Sequence, residues 1–112
     1  MLVLLLADLF QYAAHRSFHA SGLLWRFHAV HHSIRSIDWL AGSRLHLVDI
    51  LVTRAFSYIP LYVCGFSAPV FYTYVIIVSL QAVAAHANTR IPFGWLKYVV
   101  VTPQYHHWHH SD

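Results

Sequence analysis

The sequence predicts an all-α integral membrane protein, built as a transmembrane helical hairpin with short cytosolic helices that carry histidine clusters. Of 112 residues, 58% are hydrophobic and only 10% are charged, and 11 are histidine. No charged residue falls between positions 55 and 85. A soluble domain of this size must cover a large surface with polar groups, so this composition favours a bilayer as the solvent.

The first predicted element is an apolar stretch from Leu2 to Ala14, interrupted by Asp8 and Gln11. As a helix it would rise about 20 Å, which is short of the hydrocarbon core of roughly 30 Å. We therefore expect either that it does not span the membrane or that Met1 sits inside a longer helix.

The next segment, from His15 to His46, is mixed polar and aromatic. Ser21 is placed to cap a short helix from Leu23 to His32, whose apolar residues face away from its histidines. Basic residues recur through the segment, as expected of a cytosolic one: Arg16, Arg26, Arg35 and Arg44.

The charge-free stretch is too long for one straight crossing, because a helix of 31 residues would measure about 46 Å. We predict a hairpin with one helix from Leu47 to Val63, a turn over Cys64 to Pro69, and a return helix to about Ala87. The residues expected to break the helix are Pro60, Gly65 and Pro69. Such a hairpin returns the chain to the side that it left.

The remaining residues are predicted to form a turn at Ile91 to Trp95 and a short apolar segment at Leu96 to Val101. Thr102 and Pro103 suit the cap and the first position of a last helix. The single cysteine, Cys64, excludes an internal disulfide and a cysteine-based zinc site.

Eight histidines fall into three clusters in which residues three or four apart share one helix face. They are His15 and His19; His28, His31 and His32; and His106, His109 and His110. Because the hairpin separates the second and third clusters by two crossings, all three emerge on the same side. Eight converging imidazoles are enough for two metal ions, since one zinc needs about four ligands.

Three further side chains are candidates for a role near these clusters. Asp8 extends the first histidine stripe and could accept a hydrogen bond from a ligating ring. His46 is either a metal ligand or a structural residue bonded to Asp49, one turn further on, which is itself a candidate supporting group. His107 projects about 100° away from His106 on a helix and is expected to be structural.

The three clusters, spaced His15-x-x-x-His19, His28-x-x-His31-His32 and His106-x-x-His109-His110 around an apolar hairpin, resemble the fatty acid hydroxylase and sterol desaturase superfamily of membrane non-haem di-iron enzymes. The run from Asp38 to His46 is similar to the bacterial sterol-desaturase-type branch. The resemblance covers residues 1–112 as a single partial domain, truncated at both ends relative to the family. It implies that the eight clustered histidines bind metal and that His86 is a further ligand.

The resemblance also implies an activity: O2-dependent hydroxylation or desaturation of a C–H bond in a sterol, fatty acyl or related lipid. The implied cofactor is two non-haem iron ions, with O2 as co-substrate and a ferredoxin or cytochrome as electron donor. No catalytic residue beyond the metal ligands is implied. The site would lie on the cytosolic face, where the basic residues fit positive-inside bias better than nucleic-acid binding.

Two other functions remain open from the residues alone. A non-enzymatic metal-binding or metal-transport protein would place histidines along a path through the membrane. A membrane haem protein would place single histidines opposite each other across helices. The three clusters at one face favour the oxygenase over both.

Overall fold

A computed structural model of the chain describes residues 2–111, and all regular structure in this range is helical. The α-helices are α1 (Leu2–Ala20), α2 (Gly22–His32), α3 (Leu47–Val63), α4 (Ala68–His86) and α5 (Pro103–His109). Two short 3-10 helices lie at Ala41–Ser43 and Gly94–Tyr98. Met1, and with it the expectation that it sits inside a longer helix, lies outside the described residues.

The apolar N-terminal stretch and the first histidine cluster form one continuous helix, α1. It gives way to α2 at Ser21, whose side-chain oxygen accepts a hydrogen bond from the backbone N–H of Leu24 at 3.4 Å. The predicted cap is therefore present, and α2 begins one residue earlier than expected. This tight junction holds the first and second histidine clusters side by side.

The hairpin of α3 and α4 has nearly the predicted bounds, but Pro60 does not break it. Pro60 lies inside the last turn of α3, and the helix runs on to Val63. The reversal occurs at Gly65, whose φ of 73° is a left-handed conformation that favours glycine. Pro69 lies in the first turn of α4, where its missing N–H costs nothing.

In the described range one helix, α4, is long and apolar enough to cross a membrane. The predicted pairing of two membrane-crossing helices is therefore not confirmed as such, although the hairpin itself is present. Large apolar side chains nevertheless cover the outside of the helices. Examples from α1, α3 and α4 are Leu5, Leu9, Ile59, Ile76 and Leu80, all at least 60% exposed.

Helix α1 lies against both arms of the hairpin and makes its most extensive contacts with α3. Ala7, Leu61 and Tyr74 form a buried core cluster where the three helices meet. Because Ala7 has a small side chain and is completely buried, the helices can approach closely there. One end of this bundle, the histidine end, carries all the histidines, and the other, the turn end, carries residues 64–67.

The chain between α4 and α5 differs from the prediction. A 3-10 helix at Gly94–Tyr98 replaces the expected turn followed by an apolar segment. Thr102 occupies the cap position of α5, but its side chain makes no capping hydrogen bond. The position of this region is fixed instead by Gln81, whose side-chain N–H donates to the Val101 carbonyl at 2.6 Å.

Candidate metal centre

Four histidines from three helices form the first histidine group: His15, His19, His28 and His109. One ring nitrogen of each lies within 4.8 Å of those of the others. His15 and His109 are 94 residues apart in sequence, yet their Nε2 atoms are 2.9 Å apart. The folding of α5 back onto α1 therefore completes this group.

A second histidine group has the same character and draws on α2, α4 and α5: His31, His86, His106 and His110. Its ring nitrogens also lie within 4.8 Å of one another. Nε2 of His86 is 2.8 Å from Nε2 of His106 and 3.3 Å from Nε2 of His31. Three helices thus point imidazoles at one small volume.

His32 lies between the two groups. Its ring centroid is 4.9 Å from that of His19 and 4.8 Å from that of His109, both in the first group. On its other side it stacks on His110 of the second group at 4.4 Å. His32 therefore joins the two groups into one cluster of nine histidines.

Hydrogen bonds on the outer side of three rings fix which nitrogen faces the cluster. His28 donates from Nδ1 to Oδ2 of Asp49 at 2.6 Å, and His31 donates from Nδ1 to the Arg44 carbonyl at 3.3 Å. His86 donates from Nδ1 to the Ala82 carbonyl at 2.7 Å. In its neutral form, which carries one proton, each of these rings presents a bare Nε2 lone pair to the interior.

The lone pairs make the cluster a fitting site for cations. Bare Nε2 atoms of His31 and His86 face each other without a proton between them, an arrangement that a metal ion would stabilise. Several buried ring nitrogens have no hydrogen-bond partner within residues 2–111, namely Nε2 of His28, both ring nitrogens of His32 and Nδ1 of His110. Unpartnered buried polar atoms are costly unless a ligand satisfies them.

Burial keeps several rings of the cluster neutral and able to bind a metal. Burial, with the neighbouring His28 as the next cause, lowers the pKa of His32 from 6.5 to about 3. The pKa of His110 falls to about 3 and that of His31 to about 4, again chiefly because the rings are buried. At neutral pH these imidazoles are uncharged, with one bare ring nitrogen, which is the form that binds metals.

Asp49 and His46 have roles that differ from the predicted pairing. Asp49 bonds to His28 and not to His46, and it also accepts a hydrogen bond from Thr53 at 3.2 Å. His46 is the N-cap of α3, where its Nδ1 accepts from the Val48 N–H at 3.1 Å. The expected His46–Asp49 contact is wrong because capping turns the His46 ring toward its own helix terminus.

The two remaining candidates lie outside both groups. Asp8 is exposed on α1 and makes no hydrogen bond to a histidine of the described chain, so the expected support of His15 is not seen. His107 is turned away from the cluster, and its Nε2 donates to the His86 carbonyl at 3.2 Å.

One residue near the cluster was not anticipated from the sequence. Gly42 faces the ring of His86 so closely that a Cβ there would lie 2.9 Å from Nδ1 and 3.2 Å from Cε1. Gly42 lies in the run from Asp38 to His46 that the sequence singled out, but nothing in one sequence distinguishes a packing glycine from a loop glycine.

Comparison with known proteins gives a consistent picture. Residues 1–112 match the fatty acid hydroxylase family. An ornithine lipid hydroxylase of Rhizobium tropici is 37% identical over 111 residues, which cover 99% of this chain and 34% of that protein. A C-4 methylsterol oxidase of Schizosaccharomyces pombe is 30% identical over 113 residues, covering 94% of this chain and 37% of the oxidase.

A third relative is a very-long-chain aldehyde decarbonylase of Oryza sativa subsp. japonica, 26% identical over 112 residues, which cover 95% of this chain and 36% of the decarbonylase. The chain therefore spans about a third of the length of these curated relatives. No solved structure matches the chain significantly.

Proposed function

The chain belongs to the fatty acid hydroxylase family, and on that premise we propose that it carries the di-iron site of a membrane oxidoreductase that hydroxylates or desaturates a lipid C–H bond with O2. Two of the relatives named above are by name a lipid hydroxylase and a sterol oxidase, which supports lipid oxidation as the general activity. The observation that carries the proposal is the pair of four-histidine groups with lone pairs directed inward.

In this proposal each histidine group holds one iron ion, and His32, between the groups, contributes to the same cluster. Bound iron would supply the redox chemistry, namely activation of O2 with two electrons from a donor such as a ferredoxin or cytochrome, followed by oxidation of the lipid C–H bond. An all-nitrogen ligand set suits iron, although zinc binds such sites more tightly than ferrous iron does.

The protein's own contribution is to orient the ligands and to exclude water. Asp49 and the carbonyls of Arg44 and Ala82 each hold one ring in a fixed tautomer. His28, His31 and His86 are at most 5% exposed, so little solvent reaches the cluster from their side. The residues proposed to act on the substrate are thus the metal ligands alone, and no separate acid or base is required.

The arrangement also bears on the competing function of metal transport. A transport path would distribute ligands along the membrane-crossing helices. Here the nine clustered histidines lie together at one end of the helices, which favours a fixed catalytic centre.

We further propose that the histidine end lies on the cytosolic side of the membrane. Six basic residues belong to or flank this end, and no basic residue occurs between Arg54 and Arg90. The six are Arg16, Arg26, Arg35, Arg44, Arg90 and Lys97. The same basic surface could attract an acidic electron donor, an effect that salt would weaken.

The test is metal analysis of the full-length membrane protein, expressed with iron, together with optical spectra. We expect two iron ions per chain, and a loss of iron in His86→Ala. His107→Ala should keep both ions, because its ring lies outside both histidine groups. A single tightly bound ion, a haem absorption band, or loss of iron from His107→Ala but not from His86→Ala would contradict the proposal.

A further inference from the structure

The segment from Ile91 to Val101, here called the apolar loop, has apolar side chains that are exposed to an unusual extent. Trp95, Tyr98 and Val99 are each at least 72% exposed. Of its eleven residues only Lys97 is charged. A loop at the water-facing end of a protein normally carries polar side chains, so this composition calls for an apolar environment.

The end of the apolar loop, at Val101, is bonded to α4. The hydrogen bond from Gln81 to the Val101 carbonyl, 2.6 Å long, sets where the loop ends. Gln81 precedes His86 by five residues, which places it about 7 Å along the helix toward the turn end. Where the loop begins, the Gln104 side chain donates to the Ile91 carbonyl at 3.1 Å.

The loop therefore reaches the level of the apolar part of α4, the helix that is able to cross a membrane. Leu80, which precedes Gln81 in α4, is itself an exposed apolar residue, with 64% of its surface accessible. The Gln81 bond also pairs two polar groups at this depth, as a lipid environment demands.

The polar groups of the loop itself fit the interfacial zone of a bilayer. Its 3-10 helix satisfies backbone groups internally, with the Leu96 N–H bonded to the Phe93 carbonyl at 3.0 Å and the Val99 N–H to the Leu96 carbonyl at 2.9 Å. The Lys97 ammonium lies 5.1 Å from the centroid of the Tyr98 ring. Tryptophan, tyrosine and lysine together are typical of the membrane–water interface.

The other connection at the histidine end, residues 33–46, provides a contrast. It exposes Arg35, Ser36 and Asp38, which suit water, next to the exposed apolar side chains of Trp39 and Leu40. Both connections contact α4, but the apolar loop has a single charged residue, Lys97, whereas residues 33–46 expose charged groups of both signs.

We infer that the apolar loop inserts into the lipid leaflet beside the histidine end of α4, so that acyl chains and headgroups contact Trp95, Tyr98 and Val99. The inference rests on the proposed function only in that α4 crosses the membrane. Since His106, in α5, follows Val101 by five residues in the sequence, the inserted loop would bring lipid close to the second histidine group.

The experiment measures the depth of a spin label in the full-length protein, reconstituted in phosphatidylcholine vesicles. In a background without other cysteines, a nitroxide is attached at Val99→Cys or, as the matched control, at Ser36→Cys; both native side chains are exposed. We expect oxygen, which concentrates in lipid, to relax the label at position 99 more than a water-soluble nickel chelate does. The order should reverse at position 36.

Two results would overturn the inference. Strong relaxation by the nickel chelate at position 99, equal to that at position 36, would place the loop in water. Protection of position 99 from both reagents would mean that protein covers it. Iron content of the same labelled samples is recorded in parallel, so a failure of the metal proposal is visible separately from a failure of loop insertion.

Discussion

The carboxylate of Asp49 is the one acidic group of the described chain that contacts the histidine cluster, through His28. Removing it by Asp49→Ala should free the His28 ring to rotate and weaken metal binding by roughly 10- to 100-fold, the usual effect of losing a ligand's outer partner. Asp49→Asn keeps an acceptor of the same size and should retain most of the metal. Iron content after dialysis against graded chelator measures the difference.

Asp38→Ala is the control for that substitution, because Asp38 is exposed and its carboxylate bonds to the Leu40 N–H in the loop. If Asp38→Ala lost metal as readily as Asp49→Ala, the effect would reflect general destabilisation and the orienting role of Asp49 would be wrong.

Gly42 leaves room for the His86 ring of the second histidine group, because it has no side chain. In Gly42→Ala the new Cβ would meet His86 at 2.9 Å, and the ring cannot move freely because its Nδ1 is bonded to the Ala82 carbonyl. We expect one of the two metal ions to be lost while the other stays. Metal stoichiometry measured on purified protein checks this.

The matched variant is Gly22→Ala, at a helical glycine whose added Cβ would meet nothing within 4 Å. It should keep both ions and stabilise α2 slightly, since alanine is the better helix former. Equal metal content in the two alanine variants would contradict the steric argument.

At the scale of single residues, the sequence predicts which histidines cluster but not which groups form hydrogen bonds with them. Ligand candidates follow from helical spacing, because residues three and four apart share a face. The partner of Asp49 is mispredicted because sequence spacing indicates only near neighbours such as His46, whereas the actual partner, His28, lies on another helix. Backbone carbonyls such as that of Ala82 carry no sequence signal at all.

The arrangement of α3 and α4 as a hairpin predicts which positions share one side of the membrane. Cys64, the native cysteine in the turn, is exposed and should react with a membrane-impermeant thiol reagent added from outside the cytosol. In Cys64→Ser, single cysteines at Ser36 or Asn88 should react only from the cytosolic side. Labelling assays on intact cells and on inverted vesicles distinguish these outcomes.

Labelling of positions 36 and 88 from opposite sides would contradict the hairpin, whereas labelling of both from outside would contradict only its orientation. A deliberately unfolded sample in detergent shows that every cysteine is able to react.

The sequence predicts the ends of the helices best and the connections between the helices worst. The bounds of α3 were predicted because a cap position, an apolar run and Gly65 all mark them locally. The region between α4 and α5 was predicted poorly, since a long-range bond between Gln81 and Val101 sets its position. The expected helix break at Pro60 does not occur, because a proline in the last turn removes only one backbone hydrogen bond close to the point where the helix ends.

For the whole molecule, burial of many neutral histidines makes folding sensitive to acid. The pKa values of His31, His32 and His110 lie at about 4, 3 and 3 in the folded protein, against 6.5 for an exposed histidine. When the pH lies between the folded and unfolded pKa values, the unfolded chain binds protons that the folded chain does not. The free energy of unfolding therefore falls as the pH is lowered. The metal-free protein should therefore be fully stable above about pH 6.5 and lose stability progressively toward pH 4.

Thermal unfolding of the chelator-treated protein in detergent, followed by circular dichroism from pH 8 to pH 4, tests this dependence. His110→Gln removes one titrating ring and should give a shallower dependence. A melting temperature that stayed constant or rose on acidification would show that the rings are not buried as neutral groups.

Within residues 2–111 few acidic groups lie near the nine histidines, and this has a consequence for charge balance. Imidazole donors are neutral, so among the described residues the charge of two divalent ions held by them would be offset only by Asp49, which reaches the cluster through His28. The centre would therefore remain strongly electropositive in a poorly hydrated setting, where small anions gain most from binding. A centre of this kind would favour small anionic ligands over cationic ones.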